Sequence, residues 1–247
     1  MNQTARQHAG EIDRCNQRGG RMLSVVDLIE AGTLSPEMAA YSLAVIGKGA
    51  SFMVGAIPGG AGKTTVMGSL LNLVPPEAWL APADSLAAIE RGLAEPRPRK
   101  CYICHEIGRG HYYAYLWGEA LRAFFELPTA GHMIATNLHA DTFEQARDQV
   151  RRDNGVSAGA FRRMNAVYFL ALERDDRTVR RRIVDVWESD GREDHRRVFD
   201  DGRRVGESRL AARHDLTRAT KTMDALLKSG ARTVEDVRRF LLGDAER

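Results

Sequence analysis

The sequence predicts an α/β protein: a mainly parallel β-sheet flanked by helices, with short helical segments at both ends. Short apolar runs alternate with stretches of helical spacing along most of the chain, a pattern that favours strands joined by helices. One apolar run ends in a glycine-rich turn and is followed at once by a helical stretch. Gly, Pro and Ser-Pro breaks separate the segments, as expected of connecting turns.

The N-terminal part of the chain contains no strand signal. Residues 1–22 are polar, carry Gly19-Gly20 and show no apolar periodicity, so we expect a flexible lead-in. Two short helices follow. The first ends at Gly32, and the second begins after Ser35, a good N-cap residue, with Pro36 in its first turn.

The central part alternates strands and helices. Apolar runs predict strands at 51–55, 79–81, 101–104 and 131–138, and helical spacing predicts helices at 64–73, 119–126 and 143–152. A pair of late strands is predicted at 166–172 and 182–187. The resulting division is a lead-in at 1–22, a main domain at 23–190, a charged linker at 191–215 and a C-terminal helical segment at 216–247.

Composition narrows the class of protein. The chain has 247 residues, of which 43% are hydrophobic and 28% charged, as in ordinary globular proteins. No apolar run is long enough to cross a bilayer, and the first thirty residues contain no secretory signal, so we expect a cytoplasmic protein. Three cysteines are too few for a disulfide framework, and reduced thiols are expected.

A phosphate-binding loop is predicted between the strand at 51–55 and the helix that follows. Small residues let backbone N–H groups surround phosphate oxygens, Lys63 reaches the outer phosphates, and the Thr64 hydroxyl is a ligand for Mg²⁺. The sequence therefore predicts ATP and Mg²⁺ as cofactors. The predicted binding residues are Gly59, Gly60, Ala61, Gly62, Lys63, Thr64 and Thr65.

Two carboxylates and one histidine are candidates for the chemistry. Glu106 follows the apolar strand at 101–104, and Asp84 follows the strand at 79–81, so both belong at the carboxyl ends of core strands, where catalytic groups of parallel sheets lie. Glu106 is the stronger candidate for holding the attacking water. His139 ends the next strand, where it is placed to sense the γ-phosphate.

From about residue 23 to 190 the chain resembles the motor ATPases of type II and type IV secretion, pilus and archaeal flagellum assembly, especially the tight-adherence and archaeal branches. The order and spacing of several motifs carry the resemblance, and the last is the most diagnostic. The matching segments are Leu28-Ile29-Glu30-Ala31-Gly32-Thr33-Leu34-Ser35-Pro36-Glu37, Pro58-Gly59-Gly60-Ala61-Gly62-Lys63-Thr64-Thr65, Pro75-Pro76-Glu77, Ile103-Cys104-His105-Glu106-Ile107, Thr129-Ala130-Gly131-His132 and Thr136-Asn137-Leu138-His139-Ala140-Asp141-Thr142.

The resemblance implies a RecA-like core, in which Glu106 is the Walker B glutamate, Asp84 the acidic residue near metal and water, and His139 the histidine of the His box. It also implies ATP hydrolysis by a homo-oligomeric ring, usually a hexamer. Such a ring drives an integral membrane platform protein from the cytoplasmic face of the membrane. No nucleic acid is expected as a partner.

Two other functions stay open. Ile57 replaces the first glycine of the usual loop, the segment from Asp84 to Glu106 is shorter than in the family, and the family's N-terminal domain is not matched. These features favour a nucleotide-responsive accessory subunit that hydrolyses little and assembles with a full-length motor or a separate N-terminal domain. A P-loop kinase is weaker, because no acceptor-binding signature is found.

Two further patterns are interpreted as structural. One is Cys101-Tyr102-Ile103-Cys104-His105, which matches a c-type haem attachment motif and, with His111, suggests a zinc site. A strand places residues three apart on opposite faces, so we predict buried, unreactive thiols instead. Arginines at 177, 180–182, 196–197 and 203–204 alternate with acidic residues, which is typical of a solvated or subunit-facing surface.

Overall fold

A computed structural model describes residues 3–16, 19–57, 60–110, 112–174 and 179–245. The helices are α1 (Gln3–Arg14), α2 (Val25–Glu30), α3 (Pro36–Ile46), α4 (Lys63–Leu71), α5 (Leu86–Ala94), α6 (Glu119–Glu126), α7 (Phe143–Arg147), α8 (Ala158–Arg162), α9 (Arg213–Lys228) and α10 (Val234–Ala245). The strands are β1 (Phe52–Gly55), β2 (Trp79–Pro82), β3 (Lys100–Ile107), β4 (Tyr115–Leu116), β5 (Met133–Leu138), β6 (Ala166–Arg174), β7 (Val179–Glu188), β8 (Arg196–Asp200) and β9 (Arg203–Arg204).

Within the described residues the strands form one sheet in the order β2-β3-β5-β1-β6-β7-β8-β9, with β4 paired to the end of β3. The strands from β2 to β6 run parallel, and β7, β8 and β9 extend the sheet antiparallel. The predicted fold class, a mainly parallel sheet flanked by helices, is confirmed. Because β5 lies between β1 and β3, the phosphate loop and Glu106 begin from strands that are not direct neighbours.

Two hydrophobic cores lie on the two faces of this sheet. Alternate residues of β1 divide between them: Phe52 and Val54 enter one core, and Met53 enters the other. The first core includes residues of α1 to α4, α9 and α10, and the second includes residues of α5 to α8. Cys101 lies in the first and Cys104 in the second, so the prediction that these thiols occupy opposite faces of a strand is confirmed.

Several helices begin at a residue whose side chain caps the first turn. The hydroxyls of Ser35, Ser85, Thr142 and Ser157 accept hydrogen bonds from backbone N–H groups in the first turns of α3, α5, α7 and α8. At α2 the cap is reciprocal, since Ser24 accepts from the Asp27 backbone and Asp27 accepts from the Ser24 backbone. These caps fix the helix starts locally.

Two sequence predictions outside the main domain are wrong. Residues 3–14 of the expected flexible lead-in form α1, which buries Ala5, His8 and Ile12 against the body of the protein, and Cys15 directly after it is also buried. The expected linker at 191–215 contains β8 and β9, because Val198 and Phe199 are buried in the first core. The predicted C-terminal helical segment consists of α9 and α10, and Gly230 lies between them.

Among the helices of the described residues, none combines the length and the apolar character needed to cross a membrane.

Candidate functional site

The phosphate loop joins β1 to α4. Gly60 and Gly62 have φ angles of +89° and +105°, a left-handed conformation that glycine adopts without strain. Gly62 is also the N-cap of α4, so the positive end of that helix faces the loop. Pro58 and Gly59 lie outside the described residues. Ile57 is 42% exposed, and its backbone N–H donates to the Asp141 carboxylate, which ties the loop to the segment after β5.

Lys63 is the centre of a compact polar cluster. Its side chain is buried, and its Nζ lies 3.4 Å from the Ala56 carbonyl oxygen, 3.3 Å from His139 Nδ1 and 3.8 Å from Glu106 Oε1. The last distance is that of an ion pair and exceeds a hydrogen bond. An ammonium group only donates, so His139 Nδ1 accepts, and the neutral ring carries its proton on Nε2. That nitrogen lies 3.6 Å from Glu106 Oε1.

Glu106 comes from the end of β3, where its neighbours exclude water. The side chain is only 9% exposed, and Oε1 is buried with no hydrogen-bond partner among the described residues. Burial raises the pKa of Glu106 to about 7, and the charge of Lys63 opposes this shift. A carboxylate that changes protonation near neutral pH is suited to accept a proton from a water molecule.

His139 follows β5 directly and is half-exposed at the mouth of the site. Partial burial lowers its pKa, and the nearby Lys63 charge lowers it further, so the ring is held in the neutral form. Asn137, two residues earlier, donates from Nδ2 to the His105 carbonyl oxygen at 2.9 Å. This contact ties the end of β5 to β3 and fixes the relative positions of His139 and Glu106.

A cleft of about 720 Å³ opens over the loop. Its volume is within the usual range of small-molecule sites. One wall is polar and is formed by residues 60–65 with Glu106 and His139. The rest of the lining includes residues of the N-terminal segment, among them Met22 and Leu28, and residues at the start of β7.

The structure brings most of the predicted site together. Gly60, Ala61, Gly62, Lys63, Thr64, Thr65, Glu106 and His139 all line the cleft. Asp84 is different: it is exposed after β2, accepts a hydrogen bond from the Ser85 hydroxyl at 3.1 Å, and is absent from the described lining of the cleft. Its predicted role near metal and water stays a prediction.

The lining residues that sequence reasoning missed include Tyr115 of β4, and Arg180 and Arg181 of β7. The two arginines belong to the run interpreted as a solvated or subunit-facing surface. Only the antiparallel pairing of β6 with β7, in which Leu172 faces Arg181, returns this segment to the loop. The predicted pair of late strands was the signal in the sequence that could have brought these arginines to the loop.

The residues present fit a magnesium nucleotide. The glycines provide space that a side chain would fill, because a Cβ at Gly62 would lie 3.2 Å from Arg181 Cδ. Lys63 and the helix end supply positive charge, and the Thr64 hydroxyl is in the first helical turn, where it can ligate Mg²⁺. The unpartnered Glu106 Oε1 is an acceptor for water at the reacting end.

Comparison with known proteins gives a distant structural similarity only. No protein-family model matches the chain, and no curated protein matches it. Among solved structures it is similar to the VirB11 ATPase from the Brucella suis type IV secretion system, a structure in complex with sulphate, at 18% sequence identity and a TM-score of 0.46. The match covers 65% of this chain and 53% of that one, so the chain spans about half the length of that protein. We therefore base the function on the site itself.

Proposed function

We propose that the protein binds ATP with Mg²⁺ and hydrolyses it, as a motor subunit of the secretion and pilus-assembly type. The observation that supports this most directly is the convergence of Lys63, Glu106 and His139 within 3.3–3.8 Å beside a glycine-rich loop. A cation can stabilise the charge of the transferred phosphoryl group, and a carboxylate or an imidazole can orient the attacking water.

Each residue has a separate role in this proposal. Backbone N–H groups of residues 60–64 hold the phosphates, and Lys63 exchanges its present contacts for the β- and γ-phosphate oxygens. Deprotonated Glu106 orients the attacking water and accepts its proton. The Nε2–H of His139 donates toward the γ-phosphate or the water. Mg²⁺, when bound with Thr64 as a ligand, would neutralise charge on the phosphate oxygens.

The wider function rests on the motif resemblance. By that resemblance the protein would work in a homo-oligomeric ring, on an integral membrane platform protein, at the cytoplasmic face of the membrane. A nucleotide-responsive accessory subunit is the second candidate. One observation favours it: Asp84, the second acidic residue implied by the resemblance, does not line the described cleft, which leaves Glu106 as its carboxylate.

The test measures ATP binding and phosphate release on the same preparations over a range of protein concentrations. Lys63→Ala is expected to lose binding and turnover, Glu106→Gln to bind ATP without turnover, and Lys221→Ala, an exposed lysine on α9, to match the wild type. Turnover that rises more than linearly with concentration supports an assembling motor. Binding without turnover supports the accessory subunit, and transfer of phosphate to another molecule would indicate a kinase. A wild-type protein that binds no nucleotide would refute the proposal.

A further inference from the structure

Arg181 lies over the phosphate loop, on the opposite side from Glu106. A Cβ placed on Gly62 would lie 3.2 Å from Arg181 Cδ and 3.6 Å from its Nε, so the guanidinium-bearing chain packs against the N-cap of α4. Arg181 also lines the same cleft as Lys63. Arg181 belongs to β7. In the sheet, β6 and β7 lie on one side of β1, and β5 and β3 lie on the other.

Positive charge is concentrated at this point of the fold. The N-terminal end of α4, the Lys63 ammonium group and the Arg181 guanidinium all face one cleft. In the part of the chain that the structure describes, no carboxylate is ion-paired with Arg181. Its neighbour Arg182 pairs with Glu173 at 3.1 Å and with Asp201 at 2.7 Å. Cations that repel one another at a helix N-terminus are stabilised by a bound polyanion.

The sheet order distinguishes the phosphates that each cation meets. Glu106 and His139 extend from β3 and β5, on one side of β1, and mark the end of the cleft where the γ-phosphate reacts. Arg181 approaches from β7 on the other side and lies against Gly62, in the loop whose backbone holds the α- and β-phosphates.

We propose that Arg181 binds the α- and β-phosphates of the nucleotide from within the same chain, and that its main contribution is to nucleotide affinity. This inference rests on the proposed nucleotide function. The α-phosphate does not react, so a contact with it stabilises the ground state and the transition state equally. The β-phosphate takes the electron pair of the broken bond to the γ-phosphate, so a contact with it also stabilises the leaving group. Arg181 differs from Lys63 and Glu106, because those two face the reacting γ-phosphate.

The experiment compares dissociation constants of ATP, ADP and AMP for the wild type, Arg181→Gln, Arg181→Lys and the control Arg182→Gln, together with kcat and KM for ATP. Arg181→Gln should weaken ATP and ADP by the same factor, about tenfold to hundredfold for a lost charged hydrogen bond, and AMP by less. At saturating ATP, kcat should fall by a smaller factor than the affinity does, because the α-phosphate contact acts on binding alone and the β-phosphate contact also stabilises the leaving group. Arg181→Lys should recover part of the affinity, and Arg182→Gln should bind as the wild type does.

Each contrary outcome has a definite meaning. Unchanged ATP and ADP affinities in Arg181→Gln, with a melting temperature equal to the wild type, would overturn this inference and leave the proposed function intact. A loss confined to ATP and accompanied by a lower kcat would place Arg181 on the γ-phosphate and overturn the assignment to the inner phosphates. If the wild type binds no nucleotide, the proposed function itself fails, and this inference fails with it.

Discussion

The raised pKa of Glu106 predicts that this one carboxylate makes the folded protein less stable as the pH increases. Its pKa is about 7 in the folded protein, mainly because of burial, against an ordinary value of 4.5. The folded state therefore holds this proton more tightly than the unfolded state does. The resulting contribution to the free energy of unfolding is fully present below pH 4.5, declines as the pH rises, and is lost above about pH 7.

The size of the effect follows from the shift. At 1.36 kcal/mol for each pKa unit, the difference between 4.5 and about 7 corresponds to about 3 kcal/mol, most of which is lost between about pH 5 and about pH 8. Glu106→Gln keeps the shape of the protonated side chain and removes its titration. The stability of the variant relative to the wild type should therefore be greater near pH 8 than near pH 5 by about 2 to 3 kcal/mol.

The assay is urea unfolding of the wild type and Glu106→Gln at both pH values without nucleotide. Subtracting the two proteins at each pH removes other groups that titrate in this range. His8 is one such group, since burial and Arg238 lower its pKa to about 3, which gives the opposite pH dependence. The same substitution at Glu90, exposed on α5, serves as the control. A stability difference between Glu106→Gln and the wild type that is the same at both pH values would refute this electrostatic account of the site.

Three further predictions concern packing, capping and thiol chemistry. Gly55→Ala should lower the free energy of unfolding in urea by at least about 3 kcal/mol, because its Cβ would lie 2.7 Å from the Ala140 carbonyl oxygen and 2.8 Å from the Phe169 ring. In the control Gly159→Ala, on α8, the Cβ meets nothing within 4 Å, so the free energy of unfolding should change by about 1 kcal/mol or less. Equal losses in the two variants would contradict this prediction. Ser35→Ala removes the acceptor for the Met38 N–H at 3.1 Å and should cost about 1 kcal/mol in the same assay, and an unchanged midpoint would argue against the cap. Burial raises the pKa of the Cys15 and Cys104 thiols to about 12 and also raises the pKa of the Cys101 thiol. An aromatic disulfide reagent should therefore label no thiol in the folded protein and all three after unfolding. Rapid labelling of the folded protein would show an exposed cysteine.

Local patterns were sufficient to predict the centre of the site. The apolar run before the glycines, the helical spacing after Lys63 and the strand that precedes Glu106 are each contained in a few neighbouring residues. Because parallel strands have their carboxyl ends at the same edge of the sheet, the sequence also predicts that Glu106 and His139 lie at one edge. In the structure both side chains lie within 3.8 Å of Lys63 Nζ.

The missed features depend on contacts between distant parts of the chain. The spacing of Ala5, His8, Ile12 and Cys15 is helical, but these residues are too weakly apolar to predict α1 without the surface against which they pack. Arg181 and Arg182 are neighbours in one run of arginines, so the sequence alone does not distinguish their roles. The register of β7 against β6 separates them, since one reaches the loop and the other pairs with Glu173 and Asp201.

The position of β5 in the sheet has a consequence for how this site can move. All six of its residues are buried, and its backbone bonds to β1 on one side and to β3 on the other. It therefore acts as a fixed spacer between the strand that leads into the loop and the strand that carries Glu106. Glu106 and His139 are held by the frame of the sheet, so a ligand that reshapes the loop moves Lys63 relative to two stationary partners. Lys63 is therefore the part of the site whose position depends on the loop, whereas the positions of the carboxylate and the imidazole depend on the sheet.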